Sequence, residues 1–253
     1  MTEISDEWDF YPCRVDDKPA SISLNLGYAR HAPLAGAPTL LLIGLQIKTP
    51  GDHGMGVDPD ASLLYEIEDR ISADAQARGL LYLGRVRTGG DWQLTFQGRP
   101  EHEALLDDII AQGLGGQGRG YRTGAQPDPQ WTYYRDFLFP NAERYQWMLD
   151  RRVVDQLAQR GDVLTASRPV DHHLDFPGDA DLAPFLEAAR ARGFSVEGDP
   201  TPLDDGQVSV HVQRSDPLDG LQIHGVVMEL TELAAAIGGV YDGWGCPVVT
   251  ASD

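Results

Sequence analysis

The sequence has few cysteines and no long apolar segment, and each shortage excludes a class of protein. Its 253 residues include two cysteines, Cys13 and Cys246, too few for the disulfide framework of a small secreted domain. The longest apolar run, residues 40–45, is interrupted by Gly44 and is far too short to span a bilayer. Residues 1–9 are polar and acidic, without the apolar core of a secretory signal. We therefore expect a cytoplasmic protein with reduced thiols.

Basic side chains are also scarce, and this argues against two kinds of partner. The chain has 20 Lys and Arg against 39 Asp and Glu, a formal net charge of −19. Residues 1–164 carry 24 acidic and 16 basic side chains, whereas residues 165–253 carry 15 and 4. Nucleic acids and anionic membrane surfaces both attract Lys and Arg, so we expect neither as a partner. The acidity either favours a protein partner with a basic surface or serves solubility alone.

Sequence motifs of common active sites are missing too. The chain contains no Gly-x-Ser-x-Gly, His-Glu-x-x-His or Cys-x-x-Cys, and no Lys-Ser or Lys-Thr follows a glycine run. Residues 113–118 match the dinucleotide pattern Gly-x-Gly-x-x-Gly. That motif requires a strand before it and a helix after it, whereas here a helix is predicted before it. We interpret the segment as a flexible loop and expect no cofactor.

What the chain does have is the length and the apolar content for two ordinary domains, with 42% hydrophobic residues. The N-terminal part mixes strand-length and helix-length patterns, which predict a mixed α+β sandwich over residues 1–162. The predicted strands are residues 8–15, 21–26, 39–47, 80–87, 92–97 and 131–137. The predicted helices follow Asp58, Pro100 and Asn141.

The C-terminal pattern is clearer and predicts a ferredoxin-like domain over residues 168–253. Strand, helix, strand, strand, helix and strand follow one another, which is the βαββαβ order. The predicted strands are residues 170–176, 194–197, 208–213 and 240–249, and the helices are residues 180–192 and 218–237. This topology implies an antiparallel sheet of order 4-1-3-2 with both helices on one face. The predicted fold class is therefore α+β with two domains.

Two short runs in this domain resemble a known family. Val170-Asp171-His172-His173 opens its first strand, and Val240-Tyr241-Asp242-Gly243-Trp244-Gly245 forms its last. Both are similar to hallmark segments of the regulator of ribonuclease E activity B family, over about residues 165–250. The resemblance implies a protein that inhibits ribonuclease E by binding the enzyme and not RNA.

The N-terminal part resembles a second family. Residues 10–15, Phe-Tyr-Pro-Cys-Arg-Val, and residues 128–152 are similar to a bacterial domain of unknown function that is often fused to that regulator domain. Residues 131–152 mix aromatic side chains with arginines. This composition fits either an interface anchor or aromatic side chains packed inward beside solvated arginines.

Strand alternation predicts a polar patch on the uncovered face of the C-terminal sheet. We expect it to consist of Asp171, His173, Asp175, Ser209 and His211, with Tyr241 and Trp244 contributed by the last strand. His172 falls on the covered side and is interpreted as a core or edge histidine with one satisfied nitrogen. Trp244 either packs over the helices or contacts a partner. The patch itself is a solvated face, a protein-binding face, or a Zn²⁺ site of Asp171, His173 and His211.

These observations favour a non-enzymatic cytoplasmic regulator that binds a protein partner, either ribonuclease E or another protein. The alternative is a metal-dependent hydrolase that uses Asp171, His173 and His211. RNA binding on the sheet is disfavoured, because the strands lack a basic and aromatic RNA-binding motif and the open face carries carboxylates.

Overall fold

A computed structural model of the chain describes residues 4–251, except for the side chains of residues 220 and 221. The chain divides into two compact units, and the division follows Tyr145. The predicted domain limits at residues 162 and 168 stay a prediction. The predicted domains also include residues 1–3, 252 and 253, which lie outside the described residues.

The N-terminal unit contains a six-stranded antiparallel sheet, whose strand order is β1-β2-β4-β5-β3-β6. Its strands are β1 (Trp8–Val15), β2 (Lys18–Asn25), β3 (Thr39–Gln46), β4 (Leu81–Thr88), β5 (Asp91–Gly98) and β6 (Tyr121–Pro127). Its helices are α1 (Asp60–Ala77) and α2 (Leu106–Leu114), and α3 (Ala142–Gln159) begins just before the division.

One face of this sheet packs against α1 and α2. Strand residues such as Ile43, Leu94 and Phe96 share a fully buried cluster with Ile67 of α1 and Ile109 of α2. Successive strand residues point to opposite faces, so the alternating apolar positions of β3 and β5 supply this core.

A buried carboxylate is enclosed within that core. Glu68 of α1 accepts hydrogen bonds from the Tyr82 hydroxyl and the Trp92 Nε1, both at 2.7 Å, and from Arg85 at 2.9 Å. The Arg85 guanidinium also lies 4.8 Å from the centres of the Tyr65 and Trp92 rings. Burial and the neighbouring Glu68 raise the pKa of Tyr82, so its hydroxyl stays a donor. The carboxylate thus joins α1 to β4 and β5.

Replacing Glu68 with alanine is expected to lower the free energy of unfolding by about 3–5 kcal/mol, because Arg85 would be left buried without a counter-charge. Glu66→Ala is the matched control. Its side chain is 69% exposed and lies 3.9 Å from Arg70, so its loss is expected to cost less than about 1 kcal/mol. Urea unfolding of both variants measures the difference, and equal losses would contradict a structural role for Glu68.

Within the C-terminal unit, the elements that follow α3 have the predicted βαββαβ order with one addition, the two-residue strand β9 before β10. Its elements are β7 (Arg168–Pro177), α4 (Ala183–Ala191), β8 (Ser195–Val196), β9 (Thr201–Pro202), β10 (Gln207–Asp216), α5 (Gly220–Ala235) and β11 (Val240–Gly245). The sheet order is β11-β7-β10-β8, with β9 beside β10. This is the predicted 4-1-3-2 arrangement, and the predicted α+β class is confirmed.

Both C-terminal helices cover the same face of this sheet. Phe185 of α4 and Leu230 of α5 share one buried cluster with Leu174, Phe176 and Val210. The opposite face is therefore left without a helix from α4 or α5. Within residues 4–251, no helix is both long enough and apolar enough to cross a bilayer.

The prediction of a strand at residues 131–137 is wrong. Tyr133–Leu138 forms a π-helical turn, and the Asp128 carboxylate accepts hydrogen bonds from the Thr132 and Tyr133 amides at its start. Trp131 and Tyr134 are buried, and their polar atoms bond to the carbonyls of Ala37 and Asn25. The aromatic side chains of this turn reflect inward packing.

The glycine-rich segment, residues 113–118, begins in the last turn of α2 and continues beyond the end of that helix. This position agrees with its interpretation as a loop. Gly115 follows α2 with a left-handed φ of 55°, which glycine adopts without steric cost. The chain then enters β6, a strand that the sequence did not predict. A helix before the glycines and a strand after them is the reverse of a dinucleotide-binding motif.

Candidate functional site

The open face of the C-terminal sheet contains five of the seven predicted site residues. β7 and β10 are antiparallel neighbours, and their register pairs His173 with His211 and Asp175 with Ser209. Asp171 pairs with Gln213 in the same way. Because paired residues of adjacent strands point to the same face, all of these side chains lie together. We call Asp171, His173, Asp175, Ser209 and His211 the open-face patch.

Two imidazoles form the centre of the open-face patch. The rings of His173 and His211 are 4.2 Å apart between centroids and meet edge to face at 74°. His211 is exposed, and His173 is half-buried. Asp171 accepts a 2.7 Å hydrogen bond from the Gln213 side-chain amide, which fixes the orientation of its carboxylate. The patch therefore offers hydrogen-bond donors, acceptors and aromatic edges to a partner.

Carboxylates surround the two histidines. Asp171 and Asp175 flank His173 on β7, and exposed Glu197 follows β8, where its amide bonds to the His211 carbonyl at 2.9 Å. On β7 and β10 the positions that alternate with the buried ones contain no Lys or Arg. This side of the sheet is therefore acidic wherever it is charged.

The metal-site interpretation finds no geometric support. Among the described residues, no group of three or more His, Cys, Asp or Glu side chains is arranged to hold a metal ion. One carboxylate oxygen of Asp171 is bonded to Gln213, and the two imidazoles meet edge to face rather than converging on a common point.

The structure places Tyr241 and Trp244 away from the open-face patch, which corrects their predicted position. Tyr241 pairs with Leu174 and Trp244 pairs with His172, both residues of the covered side. The register shifts between Tyr241 and Gly243, which indicates a β-bulge. A bulge adds one residue, so two side chains three positions apart share one face. Trp244 packs over the helices, which is one of its two predicted interpretations.

His172 is a core histidine, as predicted. Its side chain is fully buried, and Nδ1 lies 2.7 Å from the Tyr241 hydroxyl. Nε2 has no hydrogen-bond partner within the part of the chain that the structure describes. Burial lowers the pKa of His172 to about 4 and raises that of Tyr241. The two runs that resemble the regulator family therefore meet through this hydrogen bond.

His172 is expected to make the protein less stable as the pH falls from about 6.5 to about 4. In this window the unfolded chain binds a proton that the buried imidazole does not, which favours unfolding by up to about 3 kcal/mol. His172→Phe should remove this contribution, whereas His173→Phe, one position along β7, should retain it. Urea unfolding at a series of pH values measures both, and an unchanged pH dependence in His172→Phe would refute the assignment.

A buried carboxylate, Asp150, was not predicted as functional and orders the same region. It is 2% exposed and accepts hydrogen bonds from the Trp244 Nε1 at 3.0 Å and the Gln146 side-chain amide at 2.9 Å. The His224 Nδ1 lies 2.8 Å from its other oxygen. Asp150 thereby connects α3, α5 and β11. The only sequence signal was an acidic residue on the apolar stripe of α3.

Asp150→Ala is expected to lower the free energy of unfolding by about 3 kcal/mol, because the partly buried polar atoms of Trp244 and His224 would lose their partner. Asp155→Ala on the same helix is the control. Asp155 is 50% exposed in its pair with Arg151, and its loss should cost less than about 1 kcal/mol. Thermal or urea unfolding distinguishes the two variants, and similar values would show that the Asp150 contacts contribute little.

Two family models match the chain, one in each part. The model described as "Regulator of ribonuclease activity B" matches residues 147–246. The model described as "Family of unknown function (DUF695)" matches residues 6–139. Both agree with the resemblances inferred from the short motifs. No curated protein matches the chain significantly.

Two solved structures align with most of the chain at low structural similarity. An unknown protein from Galdieria sulphuraria aligns with 84% of this chain and 99% of its own length, at 9% identity and a TM-score of 0.23. A putative glycine cleavage system transcriptional repressor aligns with 83% of this chain and 98% of its own, at 8% identity and a TM-score of 0.26. Scores this low support no inference about fold or function.

Proposed function

We propose a regulatory, non-enzymatic function for this chain, which belongs to the family of unknown function DUF695 and carries a C-terminal domain of the ribonuclease-regulator type. It acts in the cytoplasm by binding a protein partner, and a ribonuclease E-like enzyme is the first candidate. The family match of residues 147–246 supports the regulatory role. The binding surface is inferred from the geometry of the same residues.

The observation that carries this proposal is the open-face patch. In this domain the helices α4 and α5 cover one face of the sheet, so the other face is available to a partner. That face presents two imidazoles in edge-to-face contact and an oriented carboxylate instead of a featureless polar surface. Interfaces gain specificity from such oriented polar groups.

The charge of the patch specifies the kind of partner. Asp171, Asp175 and Glu197 lie around the histidines, and residues 165–253 carry 15 acidic and 4 basic side chains. A basic partner surface is attracted to this side over distances of about 10 Å at ordinary ionic strength. The partner is therefore a protein with a basic surface, and the association is expected to slow as salt is added.

The test compares the wild type with the triple variant Asp171→Ala/His173→Ala/His211→Ala. Each protein is immobilised and exposed to purified ribonuclease E, and to native lysate with identification of retained proteins by mass spectrometry. The control is Glu187→Ala/Asp204→Ala, which changes two exposed residues of the same unit outside the patch. We expect one protein to be retained by wild type and control and at least tenfold less by the triple variant, a change of about 1.4 kcal/mol or more.

Retention of the same partner by the triple variant would overturn the assignment of the open-face patch. Inhibition of ribonuclease E by the wild type but not by the triple variant would identify the target. Substrate turnover that persists through purification and is lost in the triple variant would instead overturn the non-enzymatic proposal.

A further inference from the structure

Strand β6 forms one edge of the N-terminal sheet and presents unpaired backbone groups. The Asp128 amide donates to the Pro38 carbonyl and the Gln46 amide donates to the Gly120 carbonyl, both at 2.8 Å. In an antiparallel pair these bonds recur at every second residue. The even-numbered residues of β6 therefore bond to β3, and the amides and carbonyls of Tyr121, Thr123 and Ala125 point outward. None of these three amides has a partner within residues 4–251.

This edge has little of the protection that sheet edges usually carry. Proteins blunt an exposed edge with charged side chains, bulges, prolines or a covering element. β6 pairs with β3 over seven residues without a bulge. Its one charged side chain, Arg122, is held by both oxygens of Asp91, and its one proline, Pro127, stands at the end. An added strand could therefore pair along most of β6.

Two cavities flank the C-terminal half of β6, on opposite faces of the sheet. The first, of about 280 Å³, lies on the face of α2. It is lined by four prolines and Ala125 together with Thr39, Gln126 and exposed Glu103; the prolines are Pro38, Pro100, Pro127 and Pro129. The second, of about 370 Å³, lies beside the π-helical turn. Its lining includes Tyr133, Phe137 and exposed Asp136.

We propose that β6 is a docking site for an extended segment of a partner protein, which adds to the sheet as a further strand. Successive residues of an added strand point to opposite faces. One side chain therefore enters the proline-lined cavity, and the next enters the cavity beside Tyr133 and Phe137. The first is expected to be apolar, since four prolines and Ala125 make up most of the lining of its cavity. The second must be basic, since Asp136 is exposed beside it.

A partner of this chemistry fits better than a second copy of the chain. Pairing of two β6 strands about Thr123 would place residues 119–121 of one copy beside the cavities of the other. That segment contains Arg119, whose guanidinium is already buried against Asp60, and no exposed basic side chain. The charged residues that line the two cavities are all acidic: Glu103, Asp128 and Asp136. A second copy would thus leave the exposed Asp136 carboxylate without a counter-charge.

The probe is a fluorescent eight-residue peptide that alternates Val and Lys, and binding to the full-length protein is followed by fluorescence anisotropy. The matched acidic peptide alternates Val and Glu. Two further Val/Lys peptides carry N-methyl groups, one on every Val amide and the other on every Lys amide. In an added strand only alternate amides face β6, so one N-methylated peptide should lose binding at least tenfold while the other retains it.

The protein variants test the same geometry from the other side. Thr123→Pro removes an outward amide and leaves the bonds to β3 intact, which proline tolerates on an edge strand. Thr123→Val keeps the amide and is the control. We expect Thr123→Pro to weaken binding of the Val/Lys peptide at least tenfold and Thr123→Val to leave it unchanged. Asp136→Lys should reverse the preference toward the Val/Glu peptide.

Absence of Val/Lys binding to the wild type at up to about 1 mM peptide would overturn the proposal. Equal binding of both N-methylated peptides, or an unchanged charge preference in Asp136→Lys, would do so too, and neither result depends on how Thr123→Pro folds. A dimer of the wild type that Thr123→Pro converts to a monomer would assign the edge to a second copy instead. The open-face triple variant should still bind the peptide, which separates this site from the proposed regulatory surface.

Discussion

Two consecutive histidines of β7 lie on opposite faces of the sheet, one fully buried and one half-buried on the open face. The C-terminal unit depends on this alternation. His172 points to the covered side, where Tyr241 meets it, and His173 points to the open face, where His211 meets it. A shift of the strand by one residue would bury two carboxylates and expose the core. The register of β7 against β10 therefore determines both which side chains hold the fold and which are available to a partner.

The open-face patch could be predicted from sequence because β7 and β10 are regular. Valines alternate with polar residues in β10, and the pairing of two antiparallel strands fixes which polar residues share a face. β11 could not be predicted in the same way. Val240 is apolar and 64% exposed, whereas Tyr241 is buried. The bulge after Tyr241 and its hydrogen bond to His172 determine which residues of β11 face the core. Gly243 was the only sequence sign of such an irregularity.

In the N-terminal unit the sequence pattern misses one strand and predicts another that does not form. β6 has no apolar periodicity because its side chains are exposed or half-buried on both faces, so nothing in residues 121–127 distinguishes it from a loop. The π-helical turn beside it is rich in aromatic residues, and this composition suggested a strand. The aromatic residues are there because Trp131 and Tyr134 are buried. Asp128 was the available signal, since an Asp side chain often bonds to amides a few residues ahead of it.

The two surfaces differ in what they can recognise. An edge strand binds through amides and carbonyls, which every partner possesses, so any selectivity at β6 must come from the flanking cavities. In the proposed function the open-face patch binds through side chains alone, and its selectivity comes from the placement of two imidazoles and their carboxylates. The charged residues of the open-face patch and of the two cavities beside β6 are acidic, whereas β6 itself carries Arg122, which is paired with Asp91. Charge acts mainly on the rate of encounter rather than on the final affinity. A partner that bound both surfaces would need basic side chains in each contacting region. Basic charge alone would not be enough for binding at either surface. The strand register at β6 and the imidazole geometry at β7 each require a partner of matching shape.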